Sequence, residues 1–319
     1  MAERSEFALI RHYLSHLGAN RRDVTLGVGD DAAVVVAQGQ SLLMALDTLV
    51  DGVHFPSDLS AYWVGHRALA VNLSDIAAMG GEPCWALLSL TLPDVDEAWV
   101  SAFADGLGAL AARHGVAVVG GDVTRGPLSI SVQITGRAPA TPLRRDGARD
   151  GDRVWVSGHP GDAMGGLSVW QSAVHRHQAR WRGLRRAFLA PQPRVALGQA
   201  LTGIATAAID ISDGLAADAG HIADRSDVAI DLSTLACRPS SRLRQWLGEA
   251  PAVDAQLGGG DDYELCFTAP ASADDAVLSA ARRSRTPVRR IGGVGIGAGM
   301  TCDGHPIADA ATGYRHFER

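Results

Sequence analysis

Nine aspartates stand in glycine-rich stretches or where an apolar run ends: Asp30, Asp31, Asp47, Asp75, Asp122, Asp210, Asp213, Asp261 and Asp262. Taken singly, each is the kind of residue that closes a turn or caps a helix. Taken together they suggest more. Carboxylates gathered in one cleft repel each other and stay ionised only beside cations. Such oxygen-rich sets suit magnesium, which keeps several waters and bridges to substrate phosphates. Gly27, Gly29, Gly120 and Gly121 would let backbone amides approach phosphate oxygens closely, although the chain holds 37 glycines and turns alone could account for them. Arg125 and Arg145 are candidates to clamp a phosphate with two parallel hydrogen bonds.

What is missing narrows the chemistry. All 29 basic residues are arginine, so a lysine-bearing P-loop and a Schiff-base lysine are both excluded. There is no GxSxG or HExxH, and Cys84, Cys237, Cys266 and Cys302 have no paired spacing that would make a zinc site or a disulfide framework. Glycine, carboxylate and arginine without an obvious nucleophile point to direct phosphoryl transfer by positioning and electrostatics.

The elements that must position these residues can be read in order. Residues 4–18 have the apolar spacing of a short amphipathic helix, and 22–36 read as a strand interrupted by Gly27-Val-Gly-Asp-Asp31. Ser41–Leu46 reads as a buried strand that delivers Asp47 and Thr48 at its end. A helix from about Ala61 ends in Asn72-Leu-Ser-Asp-Ile-Ala-Ala-Met-Gly-Gly81, with Asn72 and Asp75 on one face. A carboxylate near the C-terminus of an apolar helix sits against an unfavourable dipole and requires a partner. Trp85–Leu92 follows as a strand. The next helix has Asp94 as its N-cap, Glu97 completing a capping box, and Gly115 as its stop. Val116–Val119 forms a strand ending in Gly120-Gly121-Asp122, and Leu128–Thr135 alternates like a half-exposed strand.

A turn-rich, charged stretch from Ala138 to Asp152 marks a boundary, dividing the chain into domains 1–137 and 138–319. Beyond it Val154–Ser157 opens a second run of strands and helices. In it Asp210-Ile-Ser-Asp-Gly214 joins a strand to a helix, and Gly258-Gly-Gly-Asp-Asp-Tyr-Glu264 precedes another strand. The fold class is α+β, built from two α/β-type domains. At 319 residues, 46% apolar and 20% charged, the composition is that of a soluble globular protein, with no apolar run long enough to span a bilayer. The charged N-terminus does not read as a signal peptide, and a cytoplasmic location is expected. A net charge of −6 without a basic cluster argues against nucleic acid as the main partner.

Six stretches, in order and at matching spacing over essentially the whole chain, resemble the thiamine-monophosphate kinase family of the aminoimidazole-ribonucleotide-synthetase-like ATP-binding superfamily. They are Gly27–Asp31, Asp47-Thr-Leu-Val-Asp-Gly-Val-His-Phe55, Asn72–Gly80, Gly120-Gly-Asp-Val-Thr-Arg-Gly126, Asp210–Gly214 and Asp262-Tyr-Glu-Leu265. The resemblance implies ATP-dependent phosphorylation of thiamine monophosphate to thiamine diphosphate, with several magnesium ions as cofactor. It implies that Asp31, Asp47, Asp75, Asp122, Asp210 and Asp213 hold the metal, Asp30 sharing the role beside Asp31. It further implies ATP contacts from Gly121, Asp122, Arg145 and Ser212, and thiamine-substrate contacts from His54, Asp261 and Tyr314. The ATP site is expected between the domains, and N-terminal domains are expected to pair in a homodimer. No catalytic nucleophile is expected.

Two departures stand out. Ala45 and Leu46 replace the hydroxyl residues usual before Asp47, so a side-chain hydroxyl ligand is missing there. Asp261 stands where glutamate is commoner and reaches about one carbon less far. Two other readings stay open at this point. One is a different ATP-using enzyme of the same superfamily, activating an amide, formyl or selenium species. The other is a non-catalytic acidic protein that binds divalent cations, which explains the carboxylates but not the ordered glycines or His54.

Overall fold

A computed structural model describes residues 39–307 throughout, together with residues 13–14, 17–19, 21–26, 34–35, 37 and 313. The chain divides into two compact units, the first comprising residues 1–76 and 81–138, the second residues 77–80 and 139–319.

In the first unit β1 (Val24–Leu26) pairs antiparallel with β2 (Val34–Val35). The main sheet contains β3 (Leu42–Val50), β4 (Glu82–Leu92), β5 (Ala117–Arg125) and β6 (Ser129–Arg137), in the order β3-β6-β4-β5. Only β4 and β5 run parallel. Between the strands lie α1 (Ala61–Ala78) and α2 (Glu97–His114). These helices touch backbone to backbone. A Cβ on Gly65 would lie 2.1 Å from the Phe103 carbonyl oxygen, and one on Gly106 would lie 1.9 Å from that of Tyr62. Any side chain at either position would force the helices apart. The core of the unit is built from α1 residues such as Leu69, Leu73 and Ile76, α2 residues such as Phe103 and Leu107, and Ile130, Val132 and Ile134 of β6.

Three expectations are corrected here. The apolar run of Ser41–Leu46 is not buried: Met44 is 71% and Leu46 62% exposed, because β3 is an edge strand whose alternate residues face away from the core. Asp47 and Thr48 therefore lie inside β3 and not at its end. The cap of α2 is Asp96, whose carboxylate accepts the N–H groups of Ala98 and Trp99, whereas Asp94 bonds only the next residue's N–H. Gly115 closes the helix as expected, at φ 68°. The strand expected to end at Gly120-Gly121-Asp122 runs on through it as β5, with a bulge that displaces the register between Ala86 and Leu87 of β4. The helix expected over residues 4–18 and the segment Gly27–Asp31 fall largely outside the described residues.

The second unit is a seven-stranded mixed sheet. Its strands are β7 (Asp152–Ser157), β8 (Ala207–Asp210), β9 (Ala229–Leu232), β10 (Leu265–Pro270), β11 (Val288–Gly295), β12 (Gly299–Cys302) and β13 (His305–Pro306). They follow the order β13-β12-β9-β11-β7-β10-β8, with only β12 and β9 parallel. The accompanying helices are α3 (Asp162–Gln171), α4 (Arg182–Leu189), α5 (Val195–Leu201), α6 (Leu215–Ser226), α7 (Ser241–Leu247), α8 (Glu249–Gly258) and α9 (Asp274–Ser284). The helix α3 has no counterpart in the sequence reading, since Gly165 and Gly166 weaken its helical signal. Both are needed for packing: a Cβ on Gly166 would come within 2.2 Å of the Leu184 carbonyl oxygen.

Candidate functional site

In the first unit the site begins where β3 meets α1. Asn72 is fully buried; its side-chain carbonyl accepts the Asp47 N–H at 3.1 Å, and its amide donates to the Ala68 carbonyl at 3.1 Å. These two hydrogen bonds fix Asp47 against the helix. Asp75 lies one turn further along α1, and its carboxyl group shares a hydrogen bond with that of Asp47. Burial pushes the Asp47 carboxyl up, while the bond with Asp75 and the nearby His54 pull it back down. Two carboxylates in contact share a proton or a cation, and only the cation leaves both ionised. His54 sits in the turn after β3, where its Nδ1 accepts the Val50 N–H at 3.0 Å.

On β5, Gly121 has φ 149°, and a Cβ there would lie 1.8 Å from the Leu88 carbonyl oxygen, so glycine is obligatory. It leads into Asp122, which is exposed and pairs in register with Ser89 of β4. Arg125, at the end of the same strand, is exposed and donates to the Pro93 carbonyl.

In the second unit Asp210 ends β8, 5% exposed, and Ser212 and Asp213 follow in a half-buried loop before α6. A residue that the sequence reading passed over organises this loop. Asp218, 2% exposed on α6, accepts the N–H groups of Ser212, Asp213 and Gly214 at 3.0, 3.1 and 3.1 Å, all on Oδ2. Burial, then the negative charge of Asp210, pushes its carboxyl up to about 7, against the pull of the amides. The only trace of this in the sequence is an aspartate four residues after Gly214, an ordinary pattern for a helix surface.

The loop is held from its other side by Gly258–Glu264. The Asp261 N–H donates to the Ser212 carbonyl at 2.7 Å, and the Tyr263 N–H to that of Ile211 at 2.8 Å. Both donors adopt left-handed backbone, Asp261 at φ 72° and Tyr263 at φ 52°. Strain of this kind persists only where the surroundings impose it. Between them Asp262 turns inward: its two oxygens accept the N–H groups of Gly161 at 2.6 Å and Ala163 at 3.0 Å, capping α3. Its carboxyl is pushed well up by burial. Glu264 accepts from Arg194 Nε at 2.6 Å and also bonds Arg194 Nη2 and the Ser157 hydroxyl. Asp262 and Glu264 therefore serve the architecture, one capping α3 and the other pairing with Arg194.

Arg145 is an exposed side chain in the segment before β7. Asp30, Asp31 and Tyr314 lie outside the described residues. Among the described residues no three His, Cys, Asp or Glu side chains form a ready metal cluster, so Asp47 and Asp75 stand as a pair. No helix among them is long and apolar enough to cross a membrane. A cleft of about 550 Å³ lined by Arg153, Asp231, Arg290 and Thr301, among others, includes none of the candidate residues.

A family model described as the N-terminal domain of AIR synthase related proteins matches residues 29–138, and its C-terminal counterpart matches residues 149–303. The class is therefore that of the two-domain AIR synthase related proteins. Thiamine-monophosphate kinase from Salmonella typhimurium is 41% identical over 318 residues, covering 98% of each chain. A crystal structure of thiamine-monophosphate kinase from Stenotrophomonas maltophilia matches with TM-score 0.85 and 47% identity, covering 90% of this chain and 93% of that one. The structure of AaThiL complexed with AMPPCP and TMP matches with TM-score 0.81 and 34% identity over 91% and 92% of the two chains. The chain belongs to the thiamine-monophosphate kinase family.

Proposed function

We infer that this protein transfers the γ-phosphoryl group of ATP to the phosphate of thiamine monophosphate, giving thiamine diphosphate and ADP. The observation that carries this reading is the Asp47–Asp75 carboxyl pair, set on β3 and α1 beside His54, in a chain 41% identical over nearly its full length to a thiamine-monophosphate kinase. A phosphate oxygen of the acceptor attacks the γ-phosphorus, a new P–O bond forms, and the bond to the β,γ-bridging oxygen breaks. The attacking oxygen is already anionic near neutral pH, so the reaction needs neither a covalent nucleophile nor a general base. It needs two anions held in line with their repulsion relieved.

The donor set fits a hard divalent cation, since it offers carboxylates and no thiolate, and its closest pair needs a shared positive charge. Asp30, Asp31, Asp47, Asp75 and Asp122 of domain 1–137, with Asp210 and Asp213 of domain 138–319, are proposed to hold magnesium. When bound, magnesium neutralises charge on the phosphoryl oxygens. Gly121, Asp122, Arg145 and Ser212 are proposed to contact ATP, and His54, Asp261 and Tyr314 the thiamine substrate. Asn72 keeps Asp47 in place, and the bulge in β5 presses Gly121 against the Leu88 backbone, which fixes the strand that carries Asp122.

Leu42, Met44 and Leu46 of the edge strand β3 are exposed, as is Leu87 of β4 across Gln133 of β6 on the same sheet face. Isolated exposed apolar residues are common, but several large ones on one sheet face are the kind of surface that a partner covers. A second copy of the chain is proposed to cover it, giving a homodimer through the N-terminal domain. The cytoplasm, where ATP is abundant, is the proposed compartment.

The direct test is purified protein with ATP, magnesium and thiamine monophosphate, following thiamine diphosphate by chromatography. Product formation that requires all three is expected. Turnover of ATP with another acceptor and none with thiamine monophosphate would overturn the assignment.

A further inference from the structure

Three successive backbone N–H groups turned to one point make an anion-binding nest, the device by which many nucleotide-binding loops hold phosphate directly. The loop before α6 has such a nest, and it is already filled. The N–H groups of Ser212, Asp213 and Gly214 all end on one carboxylate oxygen of Asp218, within 3.0 to 3.1 Å. At 2% exposure the Asp218 carboxyl is closed to water, so in the folded protein these amides bond it and not solvent. The remaining backbone of the loop is also committed: the carbonyls of Ile211 and Ser212 accept the N–H groups of Tyr263 and Asp261. Gly214 completes the closure at φ 138°, where a Cβ would lie 2.9 Å from the Gly258 carbonyl carbon.

We propose that Asp218 is a positioning residue whose carboxylate fills the amide nest of the Asp210–Gly214 loop, so that this loop meets phosphate through its side chains and their bound cations and not through its amides. Asp210, Ser212 and Asp213 then act on a backbone locked from both sides. Charge-assisted bonds to a buried carboxylate hold such a loop more firmly than neutral ones. The proposal rests on the kinase reading for its functional consequence, while the filled nest itself can be tested without it.

The experiment compares the full-length parent with Asp218→Ala and Asp218→Asn. Amide hydrogen exchange is read at residues 212–214 and at 207–209 as an internal control. In Asp218→Ala, exchange at 212–214 is expected to rise ~10-fold or more while protection at 207–209 persists. Added formate, which supplies the missing carboxylate, is expected to restore protection and part of the activity, whereas chloride is not. In Asp218→Asn, which keeps the shape and weakens the acceptor, the magnesium concentration for half-maximal rate should rise roughly 10-fold, with KM for thiamine monophosphate within about twofold of the parent. A merely structural role would lower the yield of folded protein without changing magnesium dependence or responding to formate. Unchanged exchange at 212–214 in Asp218→Ala would overturn the proposal. So would an unchanged magnesium dependence in folded Asp218→Asn, which decides the matter if Asp218→Ala does not fold. A parent that exchanges as expected but never phosphorylates thiamine monophosphate would sink the kinase reading and leave the filled nest standing.

Discussion

The side-chain carbonyl of Asn72 accepts the main-chain N–H of Asp47 at 3.1 Å, so the helix α1 holds the strand residue that its own Asp75 faces. The acceptor is fully buried and the bond itself partly so. Asn72→Ala should destabilise the protein by about 1–3 kcal/mol, the cost of stranding a buried polar group. It should also lower kcat, because Asp47 loses the contact that fixes it. Chemical denaturation and steady-state kinetics on one preparation test both; a variant with parental stability and rate would contradict the role given to Asn72.

Asp75→Asn retains the shape of the side chain and removes its charge. If the Asp47–Asp75 pair holds a cation, turnover should fall roughly 100-fold or more, while the metal-free protein melts at or above the parental temperature because two adjoining carboxyls no longer compete. Near-parental turnover would refute the metal role.

A second carboxylate cluster concerns stability alone. Asp23 is bonded by Arg21 at 2.9 Å, by Arg137 and by the Trp85 indole N–H at 3.2 Å, and both guanidinium groups lie 5.7 Å from the Trp85 ring centre. The Arg21 hydrogen bond leads in holding its carboxyl down to about 2, below the ordinary 3.8. Stabilisation from this source is therefore complete above about pH 4 and is lost as pH falls through about 2. Asp23→Ala should cost about 3 kcal/mol in urea denaturation at neutral pH, since it leaves two half-buried guanidinium groups without their shared partner.

His114 gives the opposite kind of pH signature. Burial, then the neighbouring Arg113 and His66, lowers its pKa from 6.5 to about 4. The unfolded chain thus takes up a proton in a range where the folded protein does not, and stability is lost as pH falls from about 6.5 toward 4. His114→Gln should flatten this part of the curve, so that the difference in urea midpoint between pH 7 and pH 5 shrinks. An identical slope would show that other groups govern it.

The apolar edge face makes its own prediction. Met44 and Leu46 are among the most exposed large apolar residues described. Leu46→Arg places a charge within the proposed contact and should convert a dimer to a monomer in sedimentation velocity, leaving circular dichroism unchanged. A monomeric parent would remove the basis for the interface.

How far the sequence reaches is clear from particular residues. Asn72 and Asp75 could be placed on one face of α1 because a long apolar repeat fixes helical phase well. The exposure of β3 is not legible in its sequence, because five apolar residues in a row look the same whether they face a core or an uncovered edge. Asp94 and Asp96 both satisfy the chemistry of a cap, and only the backbone decides between them. Gly120 and Gly121 read as the end of a strand, yet positive φ at Gly121 occurs inside a strand pressed against Leu88. Asp218 was invisible because its task depends on three amides brought to one point by a loop, which no spacing records. The likeness to the family offers Asp47, Asp75, Asp210 and Ser212 as candidates; the contacts that hold them, Asn72 on Asp47 and Asp218 on Ser212, come only from the fold.

The left-handed backbone at Asp261 and Tyr263 bears on how this protein could evolve or be engineered. Each such residue gives up roughly 1–3 kcal/mol that glycine or asparagine would largely recover. Tyr263→Gly relieves this strain but also removes a half-buried ring with its contacts; Asp261→Gly relieves it at a half-buried position and removes a carboxylate proposed to meet the substrate. At position 261 thermal robustness and turnover are set against each other, and a screen for heat resistance alone would be expected to select the less active protein.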